Sequence, residues 1–497
     1  MSRAATGLGR DQLYTDGRWR EAEDSARYDL PNPATEEIVG SAPDGSVRDI
    51  EEAVAAARRA FDEGPWSKSD VRERAQILER IADGLEQRKE ELRQRLVVAH
   101  GAEAPTHWMQ LDAPIQLLRN YAELARVHRF EEKMPSVEQQ TAAGSREVET
   151  LLLRQPVGVC ALIPTWNFPL WVTCQKLGPA LAAGCTMVVK PSPWGPLIDL
   201  LVAEVVDAAG VPPGVFNLVT SSSLAVSKAL VEHPQIDMVS FTGSNATGQA
   251  IARSASANMT RCHLELGGKS ALLVLDDFDL DAAAVSASAP VAVHAGQGCA
   301  LMTRVLVHER SHDALVEKMQ RYIETEILVG DPVNPDVVLG PVIRPERRAE
   351  IEAYIESGVR EGADLVTGGG RPRDLERGWF VEPTLFANVR NDMRIAQEEI
   401  FGPVISVIPF RDEDEAIRLA NESSYGLFGG VLTQDSARAV ELSRRIRAGG
   451  VSINGAVNTF QKPSGGFKRS GLGRENGRFG IEEFTELQAV MWPAAKT

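Results

Sequence analysis

Cysteine is scarce in this chain: Cys160, Cys174, Cys185, Cys262 and Cys299 are the five thiols in 497 residues. They form neither a Cys-x-x-Cys pair nor a dense spacing, so no disulfide framework and no metal site is expected, and the thiols read as reduced in a cytoplasmic setting. No stretch approaches the roughly 18 uninterrupted apolar residues of a membrane span. The first 19 residues have no apolar segment behind their basic side chains, so a soluble, uncleaved protein is expected. Positive charge is also short, with 53 Lys+Arg against 69 Asp+Glu, a net charge of −16. Without a long basic block, neither nucleic acid nor an anionic membrane is an expected partner; small molecules and further copies of the chain are. Both common phosphate-loop signatures, G-x-G-x-x-G and G-x-x-x-x-G-K-[ST], are absent.

What is present is a large, 43% hydrophobic chain long enough for two or three domains. Helical periodicity covers Val47 to Glu63, with Asp49 as a candidate cap. A second pattern runs from Ser69, the other candidate cap, to about Val98. From about Leu151 the pattern changes to short apolar, β-branched runs (GVCALI, CTMVVK, GVFNLV, MVSFTG) separated by helix or turn segments. Such alternation is what a parallel α/β sheet with crossover helices requires. A second alternating block follows, with SALLVL, TRVLVH, ADLVTG, VISVIPF, LFGGVLT and GVSING as strands and helices at Ser311 to Ile327 and Pro345 to Gly362. Residues 131–150 are polar without a clear period and read as a linker or an arm. Gly368-Gly369-Gly370 reads as a turn.

Several residues have a chemical reading and a plain one. In SFTGSNATG, Gly243, Ser244 and Gly248 stand at a strand-to-helix junction, where backbone N–H groups can approach a pyrophosphate; an ordinary βα turn looks the same. Cys299, between Gly298 and Ala300, has small neighbours that leave room for an oxyanion, or is a buried thiol in a tight turn. Glu265, in LELGGK, is a candidate base or a solvated turn residue. Asn167, in PTWNFP, is a candidate donor or a turn cap.

The order and spacing of these segments decide between the readings. PTWNFP (164–169), VVKPS (188–192), FTGS (241–244), LELGGK (264–269), GQGC (296–299), EEIFGPV (398–404) and PSGGFKRSGLGRENG (463–477) together resemble the NAD(P)-dependent aldehyde dehydrogenase superfamily, over nearly the whole chain. The 34 positions from Glu265 to Cys299 fit the family's spacing of base and nucleophile. The resemblance implies an α/β fold. A Rossmann-like cofactor domain (1–130 and 151–264) is joined to an α/β catalytic domain (265–462) and a small β oligomerisation arm (131–150 and 480–497). It makes Cys299 the nucleophile, Asn167 the oxyanion donor with the Cys299 backbone N–H, and Glu265 the base that activates water to hydrolyse a thioester. Lys176 and Glu475 match positions proposed as a proton path. On the cofactor side the resemblance assigns Lys190 and Glu399 to the two riboses, and Gly243, Ser244 and Gly248 to the pyrophosphate turn. Trp166, Leu266 and Phe401 are implied neighbours of the cofactor.

The chain also departs from the family pattern. NAD is the expected cofactor, but Pro193 stands where many NAD-preferring relatives carry a glutamate, which leaves NADP open. Ser221-Ser222-Ser223 replaces frequent glycines, and Pro164 lies one place earlier than usual before Trp166. With Gly298, Ala300 and Ser464 all small, a roomy tunnel for bulky or aromatic aldehydes is expected, lined by Trp171, Gln175, Asn458 and Phe460. The competing expectations are a CoA-acylating semialdehyde dehydrogenase, against which Glu265 argues, and a crystallin-like structural protein that retains the fold alone. A dimer or tetramer is expected. A thiol of ordinary pKa is only a few per cent ionised at neutral pH, so the bound cofactor or backbone dipoles are expected to activate Cys299.

Overall fold

The structure, a computed structural model, describes residues 8–142, 144–456 and 459–494. The helix Val47–Asp62 begins at Ser46, whose side chain accepts from the Asp49 N–H while the Asp49 carboxylate accepts from the Ser46 N–H. Asp49 is therefore the reciprocal third residue of a capping box, not the cap itself. Ile50, Ala53, Val54 and Ala57 fall on one side and are buried. The long pattern beyond Ser69 divides into two helices, Val71–Gln87 and Lys89–His100, broken at Arg88. Asp70 caps the first of these, because the Ser69 hydroxyl donates instead to the Trp66 carbonyl.

Two sheets follow. In the first, Val159–Ile163 is flanked by Thr186–Val189 and then Phe216–Leu218 on one side, and by Met238–Thr242 and then Arg261–Glu265 on the other. These five strands are parallel, and nearly all their residues are buried, which explains their continuous apolar runs. Antiparallel strands close both edges: Leu13–Thr15 with Arg18–Arg20, and Gly471–Leu472. The connections diverge to the two sides of Val159–Ile163, so a crevice opens beyond the carboxyl ends of this strand and Met238–Thr242, where α/β sheets bind ligands.

The second sheet has the order Asp364–Thr367, Thr384–Ala387, Val404–Phe410, Arg304–His308, Ala271–Val274, Phe428–Leu432, Gly450–Ile453, parallel except at its first pair. The ten apolar runs expected as strands each contain one. The chain crosses between sheets at residues 266–270. It later returns, since Gly471–Leu472 pairs with Leu264 and Glu265 of the first sheet. A third, antiparallel sheet joins Glu131–Thr141, Gly144–Pro156 and Thr485–Pro493. It extends past residue 150 to Pro156, whereas residues 480–483 belong to the helix Gly477–Glu483, packed on Pro169–Ala183. Met134, Val137, Leu487, Val490, Met491 and Trp492 are exposed on it. Neither face is covered by the chain's own core, so residues 131–150 had no reason to alternate. Among the described residues, no helix is long and apolar enough to cross a membrane. Nor is any group of His, Cys, Asp and Glu arranged to hold a metal ion.

Arg304 fastens the centre of the second sheet. Its buried guanidinium donates to the carbonyls of Lys269 (3.0 Å), Leu419 (2.9 Å) and Ala420 (2.9 Å) and to Asn391 Oδ1 (3.0 Å). Burial lowers its pKa to about 10. Arg304→Met would leave these acceptors unmatched in the interior, at a cost of about 3 kcal/mol or more. The expected result is a clearly lower denaturant midpoint; an unchanged midpoint would refute the role.

Candidate active site

The crevice is bounded by carboxyl ends of strands from the first sheet and by amino ends of strands from the second. Trp166 and Asn167 follow Val159–Ile163, Gly243 and Ser244 follow Met238–Thr242, and Glu265 ends Arg261–Glu265. Opposite them, Cys299 precedes Arg304–His308, while Glu399 and Phe401 precede Val404–Phe410. All of these, with Leu266, line one cleft.

The turn before Cys299 is backbone of an uncommon kind. His294 (φ 48°), Ala295 (φ 52°) and Gly296 (φ 72°) are successively left-handed, which for the first two costs about 1–2 kcal/mol each. Buried groups over-determine the turn. Glu103 Oε1 accepts from the His294 N–H at 2.5 Å. The Gln297 side chain donates to the His294 carbonyl (2.9 Å) and accepts from the Ile343 N–H (3.0 Å). At Gly296 a Cβ would stand 2.1 Å from the Gly402 carbonyl oxygen, and at Gly268 it would stand 2.4 Å from that of Cys299. The crossing segment can lie against the nucleophile loop only because no side chain intervenes.

Asn167 is oriented by the same turn: its Nδ2 donates to the Gln297 carbonyl at 2.7 Å. An amide nitrogen carries two hydrogens, so the second remains for an oxygen in the cleft. The Trp166 ring meets Phe401 edge-on at 5.7 Å.

The electrostatics suppress charge at rest. Burial, reinforced by the charges of Glu265 and Glu399, pushes the Cys299 thiol up to about 12. The N–H groups of Cys299 and Ala300 pull the other way but are outweighed. Of the two activators expected from sequence, backbone dipoles alone therefore do not suffice. Burial, with Glu475 nearby, holds Glu265 well above the usual carboxylate range, and its buried Oε1 has no hydrogen-bond partner among the described residues. Glu399 rises to about 7 through burial, although it accepts from the Gly268 N–H at 2.9 Å. Behind Glu265, Lys176 Nζ donates to Glu475 Oε1 (2.9 Å) and Ser240 Oγ (3.1 Å), and Ser240 meets His263 Nδ1 at 3.1 Å.

The donor set fits a dinucleotide. Ser244 caps the helix Asn245–Ala255, whose amino end opens on the cleft, a natural seat for a pyrophosphate. Lys190 follows the strand Thr186–Val189; its buried ammonium donates to the Pro191 carbonyl (3.2 Å), and burial lowers its pKa to about 8. It lies outside the residues lining the main cleft. Gly248 differs from expectation: it is inside the helix, where a Cβ would meet the Leu266 side chain at 2.5 Å, so it serves helix packing and does not line the cleft. Of the expected tunnel residues, Trp171 and Phe460 pair at 6.2 Å, and the Gln175 amide is committed to Asn476 Oδ1 (3.1 Å). Ser464 exchanges backbone hydrogen bonds with Glu475, and Asn458 lies outside the described residues. Sequence reasoning missed Arg344 and Arg347, which line the cleft from the start of the helix Pro345–Arg360. Their run, RPERR, carries only the signal of a solvated helix start.

Comparison with known proteins agrees with this geometry. The model of the aldehyde dehydrogenase family matches residues 19–490. The chain is 41% identical to 3-succinoylsemialdehyde-pyridine dehydrogenase of a Pseudomonas species, over 97% of this chain and 98% of that protein. It is 39% identical to betaine aldehyde dehydrogenase of Bacillus subtilis, over 96% of each. Among solved structures, a Mycobacterium tuberculosis aldehyde dehydrogenase complexed with NAD+ has a TM-score of 0.93 at 38% identity, covering 99% of both chains. A mutant of aldehyde dehydrogenase C from Pseudomonas syringae, complexed with NAD+ and octanal, has a TM-score of 0.91 at 40% identity, covering 97% of this chain and 96% of that one.

The raised thiol makes a direct prediction. Without cofactor, iodoacetamide modification of Cys299, followed by peptide mass spectrometry, should stay slow through about pH 9 and climb only toward the thiol's pKa of about 12. Glu399→Gln, which removes one of the two carboxylates, should move that climb to lower pH. A wild-type profile centred at the ordinary thiol value, roughly 8.5, would contradict the electrostatic account.

Proposed function

The chain belongs to the aldehyde dehydrogenase family, and we propose that it oxidises a bulky or aromatic aldehyde to the free carboxylic acid through a thioester on Cys299. One observation supports this reading above others: Cys299, Glu265 and Asn167 share a single cleft, with the Asn167 amide oriented by Gln297. The Cys299 sulfur adds to the aldehyde carbon as its proton passes to the ionised form of Glu265, which releases it to solvent before the second step. The Asn167 side-chain N–H and the Cys299 backbone N–H hold the resulting oxyanion. When bound, the nicotinamide cofactor supplies the acceptor for the two electrons that leave the aldehyde carbon. Glu265, which burial holds above the usual carboxylate range and so makes a stronger base, then takes a proton from the water that attacks the thioester. Glu475, held by Lys176, stands behind Glu265 as the first group on the path by which that proton leaves toward solvent.

On this reading the first sheet belongs to the cofactor domain and the second, within 265–462, to the catalytic domain. NAD is the cofactor, supported by the NAD+ complexes of similar structures. The small side chains around Cys299 and the Trp171–Phe460 pair favour a large substrate. So do relatives named for a pyridine semialdehyde and complexed with octanal. The exposed apolar residues of the third sheet favour a homodimer or homotetramer, since its edge strands offer unpaired backbone to another copy. The five unpaired cysteines favour the cytoplasm.

Aldehyde-dependent absorbance growth at 340 nm should vanish in Cys299→Ala. In Asn167→Ala, kcat/KM should fall about 10²–10³-fold. Glu265→Gln should retain one stoichiometric burst of reduced cofactor and lose steady turnover, with free acid formed by the wild type in the absence of CoA. A requirement for CoA would favour the acylating alternative, and acetaldehyde outperforming benzaldehyde in kcat/KM would overturn the substrate class. Sedimentation should give a species larger than the 54.0 kDa chain; a stable monomer would reject the role of the third sheet.

A further inference from the structure

Resting on the dinucleotide reading of the cleft, we infer that Arg344 receives the 2′-phosphate of an NADP-type adenosine and so gives the enzyme access to both nicotinamide cofactors. The loop after Thr186–Val189 runs Lys190-Pro191-Ser192-Pro193-Trp194. Pro193 offers neither an acceptor for a ribose 2′-hydroxyl nor a charge to repel a phosphate there. Facing this loop from the opposite wall of the cleft is Arg344, its guanidinium carbon 5.4 Å from the centroid of the Trp194 ring. Stacking of this kind keeps the long side chain extended while its N–H groups stay free to donate.

Arg344 also has spare capacity. Its one ion pair among the described residues is with Glu346, at 3.8 Å, and that carboxylate is 62% exposed. An exposed pair of this length is weak and yields readily to a phosphate, which an arginine fork grips with two parallel hydrogen bonds. Arg347, by contrast, is committed to the Ile400 carbonyl (2.5 Å) and to Glu350 (2.6 Å).

Two further charged groups near the loop are Lys190 and Asp44. Asp44 comes from the turn after the strand Ile38–Pro43, and the serine segment pins it. It accepts from the hydroxyls of Ser221 (2.9 Å) and Ser222 (2.7 Å) and from the Ser222 N–H (2.8 Å). It faces Lys190 and offsets that charge. Asp44 thus offsets Lys190, whereas the partner of Arg344 among the described residues is the exposed Glu346 at 3.8 Å. Ser221 and Ser222 stand where relatives often carry glycines, and here they serve to hold Asp44 beside Lys190.

The test is equilibrium binding, by calorimetry on the full-length protein, of adenosine 2′,5′-bisphosphate and of AMP, which differ only in the 2′-phosphate. The wild type is expected to bind the bisphosphate at least as tightly as AMP, with an advantage that shrinks as salt is added. Arg344→Gln is expected to weaken the bisphosphate about tenfold and to leave AMP within twofold. Pro193→Glu is expected to weaken the bisphosphate selectively from the other side of the site. Steady-state assays should show NADP used by the wild type and lost first in Arg344→Gln. Wild-type binding of AMP ten or more times tighter than the bisphosphate would overturn the inference, and so would equal losses for both ligands in Arg344→Gln. In either case the NAD-dependent reading would still stand. Failure of the wild type to bind either nucleotide would overturn the dinucleotide reading, and this inference with it.

Discussion

The contact between Gly268 and the Cys299 carbonyl is the constraint on which the rest of the molecule depends. A Cβ at Gly268 would stand 2.4 Å from that oxygen, so the segment leaving the first sheet and the loop that holds the thiol can touch only through bare backbone. Around this contact the chain has added supports that are individually ordinary. Glu103 and Gln297 hold a left-handed turn, Asn167 reads the turn's position through the Gln297 carbonyl, and Glu399 is tethered to the Gly268 N–H. Strain in the turn is tolerable because three separate segments fix it at once.

Charge around the site is organised by exclusion of water as much as by pairing. Three acidic groups, Cys299, Glu265 and Glu399, are all pushed toward their neutral forms, chiefly through burial. The thiolate, the reactive form, is thus withheld until the balance of charge in the cleft changes. The nearby cations are engaged elsewhere: Lys176 pairs with Glu475 behind Glu265, and Arg344, which lines the cleft, lies over the Trp194 ring. Such a thiol is protected from adventitious oxidation or alkylation in the resting protein.

Much of this was legible in the residues, for identifiable reasons. Parallel strands buried on both faces must be continuously apolar, so runs such as CALI and VISVIPF announce themselves. Thr384–Ala387 did not: TLFA is four residues between proline-rich and polar segments, and its neighbours supply its environment. The break at Arg88 was invisible because helical periodicity continues through it. Cys299, Glu265 and Asn167, which line one cleft, were singled out through the order of short motifs, since each alone has a plain reading. Arg344 escaped because its position depends on a fold-back of the second sheet onto the Trp194 loop, and no local pattern encodes that. Gly248 was misjudged for a related reason, as glycine required by packing and glycine required by a ligand look alike in a strand-to-helix turn.

Both passages of the chain between the two sheets meet at Glu265. The outgoing one begins with the residue that follows it, and the returning one passes Gly465 close to its Oε1 before Gly471 pairs with it in the sheet. Glu265 is therefore fixed to both sheets at once, by covalent chain to the outgoing passage and by backbone pairing to the returning one. Its carboxylate keeps its place relative to both walls of the cleft.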